Sequence, residues 1–80
     1  MRALVQVGLK ATVLDPQGQT IQAALGRMGF TGIAELRQGK VFEIRWAPGV
    51  ERAEAERQVE RAAREVLTNP VMEEFTIRWE

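Results

Sequence analysis

The side chains of this chain that can move a proton or attack an electrophile are 11 carboxylates, two lysines (Lys10 and Lys40) and five threonines. Cys, His, Ser and Tyr are absent. Serine and cysteine nucleophiles with an imidazole base, His- or Cys-based metal sites, disulfide frameworks and redox pairs are therefore excluded together. The residues that remain favour a module that binds over an enzyme complete in itself.

Three polar segments stand out from the regular patterning. The first is Leu9-Lys10 followed by Val13-Leu14-Asp15-Pro16-Gln17-Gly18. Asp15 and Pro16 form a helix start, with a carboxylate at the N-cap and a proline whose missing N–H costs nothing at the first helical position. Gly18 has no such role. It lowers helix propensity, and a close approach by another backbone would account for it. The second segment is Arg37-Gln38-Gly39-Lys40, a basic tip between two short alternating runs. The third, Leu67 to Glu73, contains Asn69-Pro70, which ends a helix because the residue before proline avoids the α region.

The elements that must position these segments follow from periodicity. Residues 3–9 alternate as a strand with Val5, Val7 and Leu9 on one face. Residues 16–28 carry Ile21, Ala24, Leu25 and Met28 as a single helical stripe. Ile33 to Gln38 and Val41 to Trp46 read as a hairpin turning at Gln38-Gly39 or Gly39-Lys40, with Glu35 and Arg37 opposite Glu43 and Arg45. Residues 50–68 form a second helix with a stripe of Ala55, Val59, Ala62, Val66 and Leu67. Phe75, Ile77 and Trp79 alternate as a last strand. The order β-α-β-β-α-β in one domain, residues 1–80, predicts an α+β ferredoxin-like sandwich: a four-stranded antiparallel sheet with two helices on one face.

Charge limits the partners. The chain is formally neutral, so the long-range attraction that drives nucleic-acid binding is weak. Phe42 and Trp46 alternate with Glu43 and Arg45, which aims the aromatics at the helices and away from stacking bases. Val5 to Lys10 faintly resembles an acylphosphatase anion loop, yet the only asparagine, Asn69, sits at a helix stop. No apolar run reaches the length of a membrane span and no signal-peptide pattern opens the chain, which makes the cytoplasm the expected compartment. A small-molecule-binding regulatory domain of the same fold, relying on Gly8, Gly18 and Gly29 for backbone contacts, is the alternative reading. Surface scaling gives roughly 4,900 Å² for a compact fold of this mass. So small a core, with open sheet edges, predicts self-association.

The run Leu14-Asp15-Pro16-Gln17-Gly18, with Leu9-Lys10 before it and Ala24-Leu25 and Met28-Gly29-Phe30 after it, resembles the N-terminal signature of the PurS family. Those proteins are small subunits of phosphoribosylformylglycinamidine synthase in purine biosynthesis. Arg37, Gly39 and Lys40 are similar to the family's hairpin tip, and Asn69-Pro70-Val71 to the segment before its last strand. The C-terminal Phe75 to Glu80 departs from the acidic-aromatic stretch common in the family. The resemblance covers the whole chain and implies a non-catalytic subunit that binds no cofactor or metal. It implies that the subunit associates with itself, as a homodimer or tetramer. It also implies that the subunit joins a large PurL-type synthetase to a PurQ-type glutaminase, the chains that use ATP and glutamine. Leu14, Asp15, Pro16, Gln17 and Gly18, with Arg37, Gly39 and Lys40, are the expected partner-interface residues. Replacing Gly18 or Lys40 is expected to weaken assembly and leave the isolated fold intact.

Overall fold

The computed structural model describes all 80 residues. Strand β1 (Arg2–Leu9) is central and pairs antiparallel with both β2 (Gly39–Arg45) and β3 (Glu73–Trp79), giving a sheet of three strands in the order β2-β1-β3. Helix α1 (Pro16–Arg27) follows β1. Helix α2 (Arg52–Ala62) runs on into one wider i→i+5 turn, Ala63–Leu67, before β3.

The expected four-stranded sheet is not formed. Residues 33–38 pair with no strand, and the hairpin turn expected at Gln38-Gly39 or Gly39-Lys40 does not exist. A two-residue turn there would need positive φ, which only Gly29, Gly32 and Gly49 adopt. Gly39 instead lies in β2 opposite Gly8. A Cβ at residue 39 would sit 2.7 Å from the Val7 carbonyl oxygen. This glycine permits close strand approach, a role that a sequence does not separate from that of a turn glycine.

Nor do two helices share the sheet. The core consists of Ala3, Val5 and Val7 from β1 against Val59 and Ala63, with Phe42, Ile44, Trp46, Leu67, Phe75, Ile77 and Trp79 packed around them. α1 contributes nothing to it, and its one buried residue is Gly18. Along α2 and the wider turn the inward stripe is Ala55, Val59, Ala63 and Leu67, each four residues on. A regular helix would rotate such a series off the sheet, whereas the wider turn at Ala63–Leu67 lags the rotation and keeps Leu67 in the core. Val66, expected in the stripe, is exposed. At the other end, Trp46 and Trp79 stack with centroids 5.3 Å apart, and the Arg52 guanidinium lies 4.1 Å from the Trp79 ring.

The molecule is therefore a thin plate with a projecting arm. Its extents are 51 × 25 × 14 Å and its radius of gyration is 16.2 Å, against about 12 Å for a compact chain of this length. The arm comprises α1 and the returning segment 33–38. Gln22 holds the two together, its Nε2 donating weakly to the Ile33 and Ala34 carbonyls and its Oε1 accepting from Leu36 N–H at 3.3 Å.

Candidate assembly site

All three segments singled out in the sequence converge at one end of the plate, where the arm leaves β1 and re-enters β2. Asp15 caps α1, with Gly18 N–H donating to Oδ1 at 3.0 Å. Its second oxygen, Oδ2, accepts from Gln38 N–H at 2.6 Å. One carboxylate thus ties the start of α1 to the last residue before β2. Only 5% of Asp15 is exposed. The Gln38 and Gly18 amides, with a smaller contribution from Arg37, hold its pKa below the ordinary carboxylate range even though burial acts the other way.

Arg37 reinforces the same junction from outside. Its Nη2 donates to the carbonyls of Val13 at 2.8 Å and Lys10 at 3.0 Å, fastening the turn after β1 to the segment before β2. Lys10 reaches the third segment: its N–H donates to Met72 O at 2.9 Å and its Nζ to Pro70 O at 2.8 Å. Asn69 is occupied by its own turn, with its Oδ1 accepting from Val71 N–H.

The expected interface residues now divide in two. Asp15, Gly18, Arg37 and Gly39 are engaged inside the chain. Gly18 does owe its type to a close backbone approach, but the backbone is this chain's own: a Cβ there would lie 2.9 Å from the Leu36 carbonyl oxygen. Replacing it strikes the fold itself, contrary to the expectation of an intact isolated chain. Leu14, Pro16, Gln17 and Lys40 remain on the surface, Leu14 with 74% of its area exposed. Lys40 stands 3.7 Å from Glu73 and 5.5 Å from the Phe42 ring centroid.

An open groove of about 810 Å³ lies along this end of the sheet between Gly8, Arg37, Gly39 and Glu74. Its cationic groups are already engaged, Arg37 with carbonyls and Lys40 in the neighbourhood of Glu73, which disfavours a pocket for a small anion. No group of three acidic, His or Cys residues is placed to hold a metal ion, and no helix is long and apolar enough to cross a membrane.

Sequence reasoning missed the apolar surface of the arm and turns. Met28 is 73% exposed and Val71 79%, with Ile21, Phe30 and Ile33 also open to solvent. The total accessible area is 5962 Å², about 1,100 Å² above the scaling expectation for a compact chain. Periodicity showed these residues to be apolar; that no sheet of the same chain covers them was not visible. Such a surface defines a class: a small α+β subunit with an apolar face of the kind that marks a protein interface.

Comparison with known proteins assigns it within that class. The PurS family profile, described as phosphoribosylformylglycinamidine (FGAM) synthase, matches residues 2–80, and the chain belongs to that family. It is 47% identical over 76 residues to the PurS subunit of phosphoribosylformylglycinamidine synthase from Mycobacterium leprae, covering 95% of this chain and 91% of that one. Crystalline PurS of Methanocaldococcus jannaschii, one of the subunits of formylglycinamide ribonucleotide amidotransferase in the purine biosynthetic pathway, superposes with a TM-score of 0.81 at 32% identity, covering 96% of this chain and 92% of that one. A chain of the PurLQS structure from Thermotoga maritima superposes with a TM-score of 0.76 at 28% identity, over 96% of this chain and 93% of that one.

Proposed function

We propose that this chain is the non-catalytic assembly subunit of a cytoplasmic phosphoribosylformylglycinamidine synthase, bringing a PurL-type synthetase subunit and a PurQ-type glutaminase subunit into one complex. ATP and glutamine belong to those partners, and this chain binds no cofactor. The likeness to a chain of PurLQS supports the choice of partners. The observation that carries an assembly role is the exposed arm. Its uncovered apolar groups and surplus area match the roughly 800 Å² per partner of a standard protein interface.

Self-association follows from the same arm. In β2 the peptide groups of Lys40, Phe42 and Ile44 face β1, in step with the Trp46 N–H donation to Met1 O, so those of Val41, Glu43 and Arg45 point outward. That free edge accepts residues 33–38 of a second copy, related by a two-fold axis at Lys40. Arg37 then faces Glu43 of the other copy, and Glu35 faces its Arg45. Moving the axis one residue either way sets Glu35 against Glu43 or Arg37 against Arg45, and like charges directly opposed are unfavourable; the chosen axis opposes only the two Lys40 side chains, each 3.7 Å from Glu73 of its own chain. The charge pattern expected for a hairpin within the chain thus selects one register between chains. Leu36 and Ala34 fall beside Ile44 and Trp46 on the apolar face.

Two experiments test these readings. Reconstitution with PurL- and PurQ-type subunits should give glutamine-dependent product only when this chain is present; full activity without it contradicts the assembly role. In sedimentation, Glu35→Arg should weaken self-association several-fold, and adding Arg45→Glu should restore part of it. Absence of any recovery rules out the proposed register.

A further inference from the structure

The arm meets the plate at only two points in the chain, after Leu9 and before Gly39; a few hydrogen bonds tie these two exits to each other, and Lys10 carries the link on toward β3 through its N–H to Met72 O and its Nζ to Pro70 O. Asp15 bridges Gly18 and Gln38; Arg37 bridges Lys10 and Val13. No residue of α1 enters the core, so no apolar packing from the helix backs up these polar contacts. The backbone beneath the junction is Gly8 opposite Gly39, a pair with no side chain to brace it. An orientation fixed by so few bonds is fixed by the groups that accept and donate them.

We propose that Asp15 and Arg37 form a latch that sets the angle between arm and plate, and that this angle is what allows the arm to reach a second copy. Asp15 is a positioning residue, acting through residues 33–38, which are the part that meets the partner; Arg37 belongs to that segment and also holds it in place. The two halves of the latch differ in kind. Asp15 is buried and satisfies two amides that would otherwise be left without partners. Arg37 lies outside and joins two loops through their carbonyls. Losing Asp15 should free both the helix start and the entry to β2, whereas losing Arg37 should loosen the turn at 10–14 alone. Gly18 completes the latch by allowing Leu36 to lie against the first turn of α1.

The proposal rests on the arm-exchange reading above, and its test separates the two. The chain contains no cysteine, so Arg27→Cys on the arm and Arg57→Cys on α2, both exposed, accept spin labels at those two positions alone. In full-length chain diluted with unlabelled protein, the intramolecular distance distribution should be narrow. Asp15→Asn keeps a single acceptor and should broaden it, with amide exchange at Gln38 rising at least tenfold and self-association weakening about tenfold. The near-ultraviolet signal of the stacked Trp46 and Trp79 should stay unchanged, showing the plate intact. Arg37→Gln, which buries no unpaired group, should broaden the distribution less, and it serves as the test if Asp15→Asn loses the tryptophan signal. A distribution as narrow as the parent's in a folded variant overturns the latch. A broadened distribution with undiminished self-association leaves the latch standing and overturns arm exchange.

Discussion

Plate and arm are built from similar residues and held in different ways. The plate buries Val5, Val7 and Val59 almost completely and closes one end with stacked tryptophans. The arm buries one glycine and is held by Gln22, Asp15 and Arg37 through hydrogen bonds. Apolar side chains at helical spacing in α1 thus have no sheet of their own beneath them, while those of α2 do. An amphipathic stripe states that a surface will be covered; it does not state by which chain.

The largest expected effect that separates the regions is at their junction. Gly18→Val places a branched side chain against Asp15 and the Leu36 carbonyl and should destabilise the chain by about 3 kcal/mol, as overpacking does, measured by chemical denaturation. A loss below about 0.5 kcal/mol would mean the arm is not held where the structure places it. Val59→Ala, in the plate, should cost about 2 kcal/mol through the cavity it leaves. Ile21→Ala, on the outer part of α1, should change the melting of the isolated chain little and weaken its self-association severalfold. Equal effects of Val59→Ala and Ile21→Ala on chain stability would erase the distinction between the regions.

The smallest effect is with pH. Asp15 has a folded pKa below its ordinary value of about 4, so the carboxylate's contribution is present above the unfolded value and is lost as pH falls through the lower folded one. Amide exchange at Gln38, corrected for intrinsic rates, should therefore hold steady from pH 7 to about 5 and accelerate below about 4. The plate's tryptophan signal should persist further into acid. Simultaneous loss of both would show that arm and plate unfold as one unit.

Local signals made much of this readable in the sequence. Alternation marked β1 and β3, and Asp15-Pro16 marked the start of α1 to the residue. Asn69-Pro70 marked the end of the second helix. What failed was non-local. Gly39 carries the same letter whether it turns a chain or admits a neighbouring carbonyl, and Ile33 to Gln38 alternate as a strand does although they pair with no strand of their own chain. The second bond of Asp15, to Gln38, spans 23 residues and leaves no trace in local pattern. The wider turn that brings Ala63 and Leu67 inward is equally silent in composition. Of the eight expected interface residues, the Leu14 to Gly18 run was recognisable as unusual, but burial alone divides Asp15 and Gly18 from Leu14, Pro16 and Gln17.

The central claim is that the arm completes a second copy's plate. Paired residues that exchange both hydrogen bonds have Cα atoms about 5.5 Å apart, inside the range a disulfide spans, and the proposed register places Glu35 of one chain opposite Arg45 of the other. Mild oxidation of an equimolar mixture of Glu35→Cys and Arg45→Cys chains should give a covalent heterodimer in high yield, and each variant alone should give almost none. A Glu35→Cys/Arg45→Cys double variant that closes its disulfide within one chain, or a mixture that does not cross-link, would contradict the account.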